Sequence, residues 1–69
     1  MTPTSAGLTH AERTCLQLAA RGLPLDAIAR QSGASPETVE THLASVRAKL
    51  MAQTTMEAVA RALKFGVIS

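Results

Sequence analysis

Few side chains in this sequence could perform covalent or acid–base chemistry. The candidates are one cysteine, Cys15, two histidines, His10 and His42, and five carboxylates that form no recognisable catalytic pair. No nucleophile–base arrangement is present, and the glycines stand singly, so there is no glycine-rich phosphate loop. A lone cysteine also excludes an internal disulfide and a multi-cysteine metal site. The sequence therefore predicts no enzyme, no cofactor and no metal centre.

The expected helical positions of His42 and Cys15 limit what these two side chains could do. Helical projection places His42 on the flank of a predicted helix, between core and surface. There it could bond to backbone at the edge of the core or contact a phosphate, and a metal-ligand role is the least favoured. Cys15 lies on the core face of another predicted helix and is expected to be a small apolar filler.

The polar residues that could bind a partner are concentrated between Ser35 and Leu50. This stretch begins like a helix, with Ser35 as N-cap, Pro36 in the first turn and Glu37 near the positive end of the helix dipole. Its apolar residues form one narrow stripe: Val39, Leu43, Val46 and Leu50. The residues on the opposite side are mostly small: Glu37, Thr41, Ala44, Ser45 and Ala48. A solvent-facing helix tends to carry longer side chains at such positions. We expect a partner to approach this side closely.

Composition limits the class of partner. The chain has 69 residues, enough for one small domain. A single Phe, with no Trp or Tyr, leaves no aromatic platforms for stacking single-stranded bases. No apolar run approaches the roughly 20 residues of a membrane span, and no signal peptide is recognisable. A cytoplasmic location is expected, since a lone cysteine suits a reducing compartment. The net charge of +2 is compatible with a nucleic-acid partner, but charges arranged to suit helix dipoles would explain it equally well.

The chain is predicted to be all-α, with four helices at about residues 10–20, 24–32, 36–50 and 55–65. Capping boxes at Thr9–Glu12 and Thr54–Glu57 mark two of the starts, and Gly22 and Gly66 mark two of the ends. Residues 1–7 are predicted to be a flexible N-terminal arm, and residues 8–69 form the domain. The first helix is expected to bury Ala11, Cys15, Leu18 and Ala19. Leu16 is expected to lie at the edge of the core. The fourth is expected to turn Val59, Ala62 and Gly66 to the core, with Val67 and Ile68 folding back onto it.

The join between the second and third helices carries a functional signal. Ala29, Gly33 and Val39 have the spacing of a helix-turn-helix, in which a small residue permits a close crossing, a glycine adopts the left-handed turn and a branched residue is buried. Such a turn can project the third helix into a major groove. An αα-corner that binds no nucleic acid would show the same three residues.

Adding the flanking residues makes the pattern specific. In order, the chain contains Leu8-Thr9-x-x-Glu12, then Leu16-x-Leu-x-Ala-x-Gly22, then Ile28-Ala29. Later come Ser35-x-x-Thr38-Val39-x-x-His42, Lys49-Leu50 and Glu57-Ala-Val59. Taken together, these motifs resemble the LuxR/GerE-type helix-turn-helix domain of bacterial transcription regulators, and the resemblance covers roughly residues 8–68.

The resemblance implies a four-helix module that binds double-stranded DNA, with the third helix as its recognition helix. By that analogy Glu40, Thr41 and Ala44 approach base edges. Phosphate contacts would come from four residues of the same helix: Thr38, Ser45, Arg47 and Lys49. The fourth helix would supply a homodimer contact, in a dimer that can form on DNA even where the free domain is monomeric, through four residues: Met56, Ala60, Leu63 and Lys64. The alternative is that this apolar ridge packs under the first helix. RNA polymerase is a further candidate partner, and no membrane partner is expected.

The sequence also departs from the family. Several relatives place Lys or Arg at the positions of Glu40 and Ala44, where a cation can read guanine. Between Leu50 and Glu57 the family often has a Gly, then Asn or Ser followed by Arg, whereas this chain has Met51, Thr54 and Thr55. Two other functions therefore remain open, a protein-interaction module of helix-turn-helix ancestry and a bare dimerisation domain. The chain could be a stand-alone regulator or a domain excised from a larger one.

Overall fold

Side-chain caps define where three of the four helices described in this protein begin. In the computed structural model, which describes residues 7–69, the helices are α1 (His10–Ala20), α2 (Leu25–Ser32), α3 (Pro36–Lys49) and α4 (Thr55–Lys64). The hydroxyls of Thr9, Ser35 and Thr54 each accept a hydrogen bond from the backbone N–H three residues later. Because one such bond satisfies an otherwise unpaired donor, each of these residues fixes a helix start.

The predicted all-α architecture is confirmed, and the bounds differ by single residues. Pro24 precedes α2 as its extended N-cap, because its φ of −71° and ψ of 165° lie outside the helical region. Leu50 and Phe65 are the C-caps of α3 and α4 rather than their last helical residues. The predicted N-terminal arm falls on residues 1–6, which lie outside the described residues, and on Gly7.

The four helices pack around α1 and α3. These two helices contact each other, and each also contacts both α2 and α4. No contact joins α2 to α4, so they lie at different sides of the central pair. The fold therefore leaves one side of α3 free of other helices, while α1, α2 and α4 pack against the rest of it.

The core is aliphatic and centres on the apolar stripe of α3. Val39 and Val46 are fully buried, and Leu43 and Leu50 are nearly so, as predicted. Val67 and Ile68 also fold back and are buried, which confirms the predicted course of the chain after α4. Gly66 itself is exposed, and the residue that α4 adds to the core is Ala58.

The predicted arrangement of α1 needs a correction. Leu16, expected at the edge, is completely buried, whereas Ala11, expected in the core, is exposed. The reason is that α1 contacts three helices, so its buried arc is wider than a single stripe and is rotated toward Glu12 and Leu16. Cys15 and Leu18 are buried as predicted, and Ala19 is half-buried.

All four helices are followed by a residue in the left-handed conformation, and after α2 this residue is Gly33. After α1 it is Gly22, with a φ of 86°, and after α4 it is Gly66, with a φ of 75°. After α3 it is Met51, the only non-glycine residue with positive φ among residues 7–69, at 55°. The Ala52 N–H donates to the Arg47 carbonyl at 2.8 Å, which is the bond that closes a Schellman motif. The chain therefore places a strained, solvent-exposed methionine where glycine is the unstrained choice.

Candidate nucleic-acid interface

The turn between α2 and α3 has the geometry that the sequence predicts. Gly33 adopts a left-handed conformation, with φ of 73° and ψ of 23°. Its N–H and that of Ala34 both point to the carbonyl of Ala29, which closes the end of α2. Ala29 and Val39 are buried on either side of the turn, so the small residue and the branched residue pack where α2 meets α3. This arrangement confirms a helix-turn-helix.

The side of α3 that faces away from the core is open to solvent. Five of its side chains are exposed: Glu37, Glu40, Thr41, Ala44 and Ala48. The Thr41 hydroxyl donates to the backbone carbonyl of Glu37 at 3.0 Å, so its polar atom is turned back along the helix. All three predicted base-reading residues lie on this open side, and none of them is covered by another helix.

The four predicted phosphate-contacting residues are distributed around α3. Thr38 is exposed near its N-terminus, where its hydroxyl accepts a hydrogen bond from Ser35 Oγ at 2.9 Å. Arg47 is half-buried and donates to Thr55 Oγ1 at 3.2 Å, at the start of α4. Ser45 and Lys49 lie on the other flank, toward α1. The structure thus brings these residues to both flanks of the helix rather than to one patch.

Lys49 has an acidic partner that the sequence did not indicate. Its Nζ lies 2.7 Å from Glu12 Oε1 and also donates to the carbonyl of Gly7 at 3.1 Å. The Glu12 side chain is 7% exposed and that of Lys49 is 34% exposed. The sequence assigned Glu12 to the capping box, and that prediction is confirmed, because the same Oε1 accepts from the Thr9 N–H at 2.9 Å. The Glu12 carboxylate therefore caps α1 and, through its ion pair with Lys49, also holds the C-terminal end of α3 against α1.

The environment of Glu12 strongly favours its ionised form. Burial alone would raise the pKa of Glu12, but hydrogen bonds from Lys49, Ser45 and the Thr9 backbone, with the charge of Lys49, lower it to about 2. Glu12 therefore remains charged throughout the physiological range. The positive charge of Lys49 is correspondingly offset by a fixed negative charge within contact distance.

The outer side of α4 carries a second exposed surface. Met56 is 67% exposed and Leu63 is 49% exposed, with Ala60 exposed between them. This ridge does not pack under α1, which was the alternative to a dimer contact, because α4 uses Ala58, Val59 and Ala62 to reach the core. Phe65 is also 55% exposed and extends the apolar area beyond the predicted residues.

Comparison with known proteins decides the family. Residues 6–62 match the model of the family described as bacterial regulatory proteins, luxR family. The chain belongs to the LuxR family. It is also 42% identical over 62 residues to the transcriptional regulatory protein FixJ of Azorhizobium caulinodans. That alignment covers 90% of this chain and 29% of the relative, so the chain spans less than a third of that relative's length. As a LuxR-family helix-turn-helix, it is a DNA-binding domain of the transcription-regulator type.

Cys15 and His42 are the remaining reactive groups singled out in this LuxR-family domain. Cys15 is buried, and burial raises the pKa of its thiol, so it is disfavoured as a nucleophile. His42 is half-buried and lines a cleft of about 150 Å³ with His10 and Cys15 between α1 and α3. Within residues 7–69, no group of three or more His, Cys, Asp or Glu side chains is placed to hold a metal ion.

No helix within residues 7–69 has the length and apolar character needed to cross a membrane.

Proposed function

We propose that this domain binds double-stranded DNA sequence-specifically, as part of a bacterial transcription regulator, with α3 in the major groove. The observation that carries the proposal is the open outer side of α3, which follows a helix-turn-helix turn at Gly33 and presents only short or medium side chains. A groove about 12 Å wide admits a helix when its outer side chains do not hold it away from the bases. The cytoplasm is the compartment that suits this function.

The positions of the polar residues support a division of roles. Glu40, Thr41 and Ala44 would approach base edges from the open side. Arg47 and Lys49 point to opposite flanks of α3, toward α4 and α1 respectively. Since a sugar–phosphate backbone borders each side of the groove, side chains on opposite flanks would meet different strands. Thr38 and Ser45 would add hydroxyl contacts to phosphates.

Titration against duplex DNA over a salt series tests the proposal. A DNA-binding domain should lose affinity with salt at a slope near −0.9 per phosphate neutralised. Lys49→Ala should flatten that slope by about one contact, and it should be made in a Glu12→Gln background so that no buried carboxylate loses its partner. Thr41→Ala should instead change the preference at one base pair. A change in base preference from Lys49→Ala, with an unaltered slope, would contradict this orientation of α3.

We also propose that the working unit is a symmetric dimer. Its interface would be formed by four residues of α4: Met56, Ala60, Leu63 and Lys64. If the free domain is monomeric, the dimer would form only on DNA. The exposed ridge supports this, because a second copy would cover apolar area that the monomer leaves in water. Two copies on half-sites one helical turn apart would also gain affinity through effective concentration.

Leu63→Glu tests the dimer, because the half-exposed Leu63 can be replaced without opening the core. It should abolish cooperative binding to a duplex with two half-sites and leave binding to a single half-site intact. Gln31→Glu, an equal charge change at an exposed position on α2, is the control and should keep cooperativity. Wild-type cooperativity in Leu63→Glu would exclude this interface.

The exposed carboxylates of Glu37 and Glu40 favour a second candidate, a protein-interaction module of helix-turn-helix ancestry. They repel phosphates, and the charge of Lys49 is offset by Glu12. RNA polymerase is one protein partner compatible with either function. The salt series separates the two candidates, since a module that binds only protein shows no phosphate-dependent slope with duplex DNA.

A further inference from the structure

The open side of α3 lacks hydrogen-bond donors that could face a base. Glu37 and Glu40 end in carboxylates, which accept hydrogen bonds, while Ala44 and Ala48 end in methyl groups. Thr41 has a hydroxyl, but its proton is engaged with the carbonyl of Glu37 at 3.0 Å. The remaining outward features of Thr41 are its methyl group and the lone pairs of its oxygen.

The nearest cations do not supply the missing donors. The Arg47 guanidinium is directed to Thr55 at the start of α4. The Lys49 ammonium is directed to Glu12 and to the Gly7 carbonyl. Arg47 follows Ala44 by three residues and therefore lies on the same face of α3, but its guanidinium reaches toward the start of α4. The Lys49 ammonium lies on the opposite flank, toward α1. The base-facing side consists of acceptors and methyl groups.

This chemistry fits some bases and not others. Guanine presents only acceptors, N7 and O6, in the major groove, so it needs donors from the protein. Cytosine presents an amino donor, and the C5 position beside it carries a methyl group in thymine. Glu40 could accept from a cytosine amino group, while Thr41, its neighbour in the chain, and Ala44, one turn on, could contact a methyl group at C5.

We propose that this side of α3 reads a cytosine amino group through Glu40 and a pyrimidine 5-methyl group through Thr41 and Ala44. The domain would then accept 5-methylcytosine at the contacted position at least as well as cytosine. This inference rests on the proposed binding of duplex DNA and deepens it by naming the bases read. A surface of acceptors and methyl groups gains an apolar contact from cytosine methylation and loses no hydrogen bond.

Selection of half-sites from random duplexes provides the first test. The wild type should select cytosine at the position that Glu40 contacts, with discrimination against guanine on the order of tenfold. Glu40→Gln adds donors in the same shape and should move that position toward adenine, which pairs with Gln through N6 and N7. Glu57→Gln, an equal charge change on α4, should leave the selected sequence unchanged. Guanine at the contacted position, or an unaltered preference in Glu40→Gln, would overturn the inference.

A matched pair of variants tests the methyl contact. Thr41→Val keeps a methyl group and removes the hydroxyl, whereas Thr41→Ser keeps the hydroxyl that bonds to Glu37 and removes the methyl group. Affinity is measured for the selected duplex with cytosine, and again with 5-methylcytosine, at the contacted position. The wild type and Thr41→Val should bind the methylated duplex at least as tightly, and Thr41→Ser should lose any gain from methylation. Weaker wild-type binding to the methylated duplex would overturn the inference. A salt-independent or absent interaction with every duplex would instead overturn the proposed function.

Discussion

Replacing Glu12 by Gln should destabilise the fold through the loss of one ion pair. Glutamine keeps the shape of the side chain and its acceptor for the Thr9 N–H, so the capping box survives. The pKa of Glu12 falls from 4.5 to about 2, which corresponds to on the order of 3 kcal/mol in favour of the ionised form. Because Lys49 remains a third exposed, we expect a loss of about 2 kcal/mol, between the values for surface and buried pairs.

The loss should depend on pH in a defined direction. The pKa of Glu12 is lower in the folded state than in the unfolded chain, so its charge contributes fully to stability above pH 4.5. That contribution disappears as the pH falls toward about 2, where the folded-state carboxylate also takes up a proton. The difference in unfolding free energy between wild type and Glu12→Gln should therefore be constant at neutral pH and shrink toward zero in acid.

Urea denaturation followed by circular dichroism is the appropriate assay, because a chain without Trp or Tyr has little intrinsic fluorescence. For a domain of this size, a loss of about 2 kcal/mol lowers Tm by roughly 8–16 °C. Glu57→Gln is the matched control: Glu57 also follows an N-cap threonine by three residues and pairs with Arg61 at 3.1 Å, but its side chain is 41% exposed. An equal loss in both variants, or a loss at Glu12 that persists at pH 2, would refute the buried-pair argument.

Three further changes probe the backbone and the core. Met51→Gly should stabilise the fold by about 0.5–1 kcal/mol, because glycine adopts the left-handed conformation without strain; no gain in Tm would mean that Met51 is unstrained. Gly33→Val should cost about 1–2 kcal/mol from backbone strain alone, since no atom beyond the adjacent residues lies within 4 Å of the added Cβ, and Gly33→Asn should cost less. Equal Tm values for the two variants would contradict this. Leu16→Ala should cost about 2–5 kcal/mol in urea denaturation, whereas a small loss would place Leu16 at the edge of the core after all.

The sequence predicts the helices well because their ends are encoded locally. Thr9, Ser35 and Thr54 are recognisable as N-caps within windows of four residues, and the structure uses each of them. The narrow stripe of α3 was equally clear, since its apolar residues follow one helical period. In each case the deciding interaction lies within a few residues along the chain.

The features that the sequence did not predict depend on how helices dock. Glu12 and Lys49 are 37 positions apart, and only the packing of α1 against α3 brings them together. The burial of Leu16 also depends on three neighbouring helices rather than on the pattern within α1. The capping box by itself accounts for a glutamate at position 12. Nothing in the neighbouring sequence therefore indicates that Glu12 also pairs with Lys49.

These contacts also bear on how a single copy could bind DNA. Two cations near the C-terminal end of α3 already have partners within the domain, Arg47 with Thr55 and Lys49 with Glu12. The open outer side of α3 carries the carboxylates of Glu37 and Glu40, so it adds negative rather than positive charge. Since phosphate neutralisation supplies much of the affinity of DNA-binding proteins, one copy should bind weakly at physiological salt. Base reading by Glu40, Thr41 and Ala44 would then be effective only where a second copy raises the local concentration. If that copy docks through α4 as proposed, the exposed ridge of α4 would be part of sequence recognition.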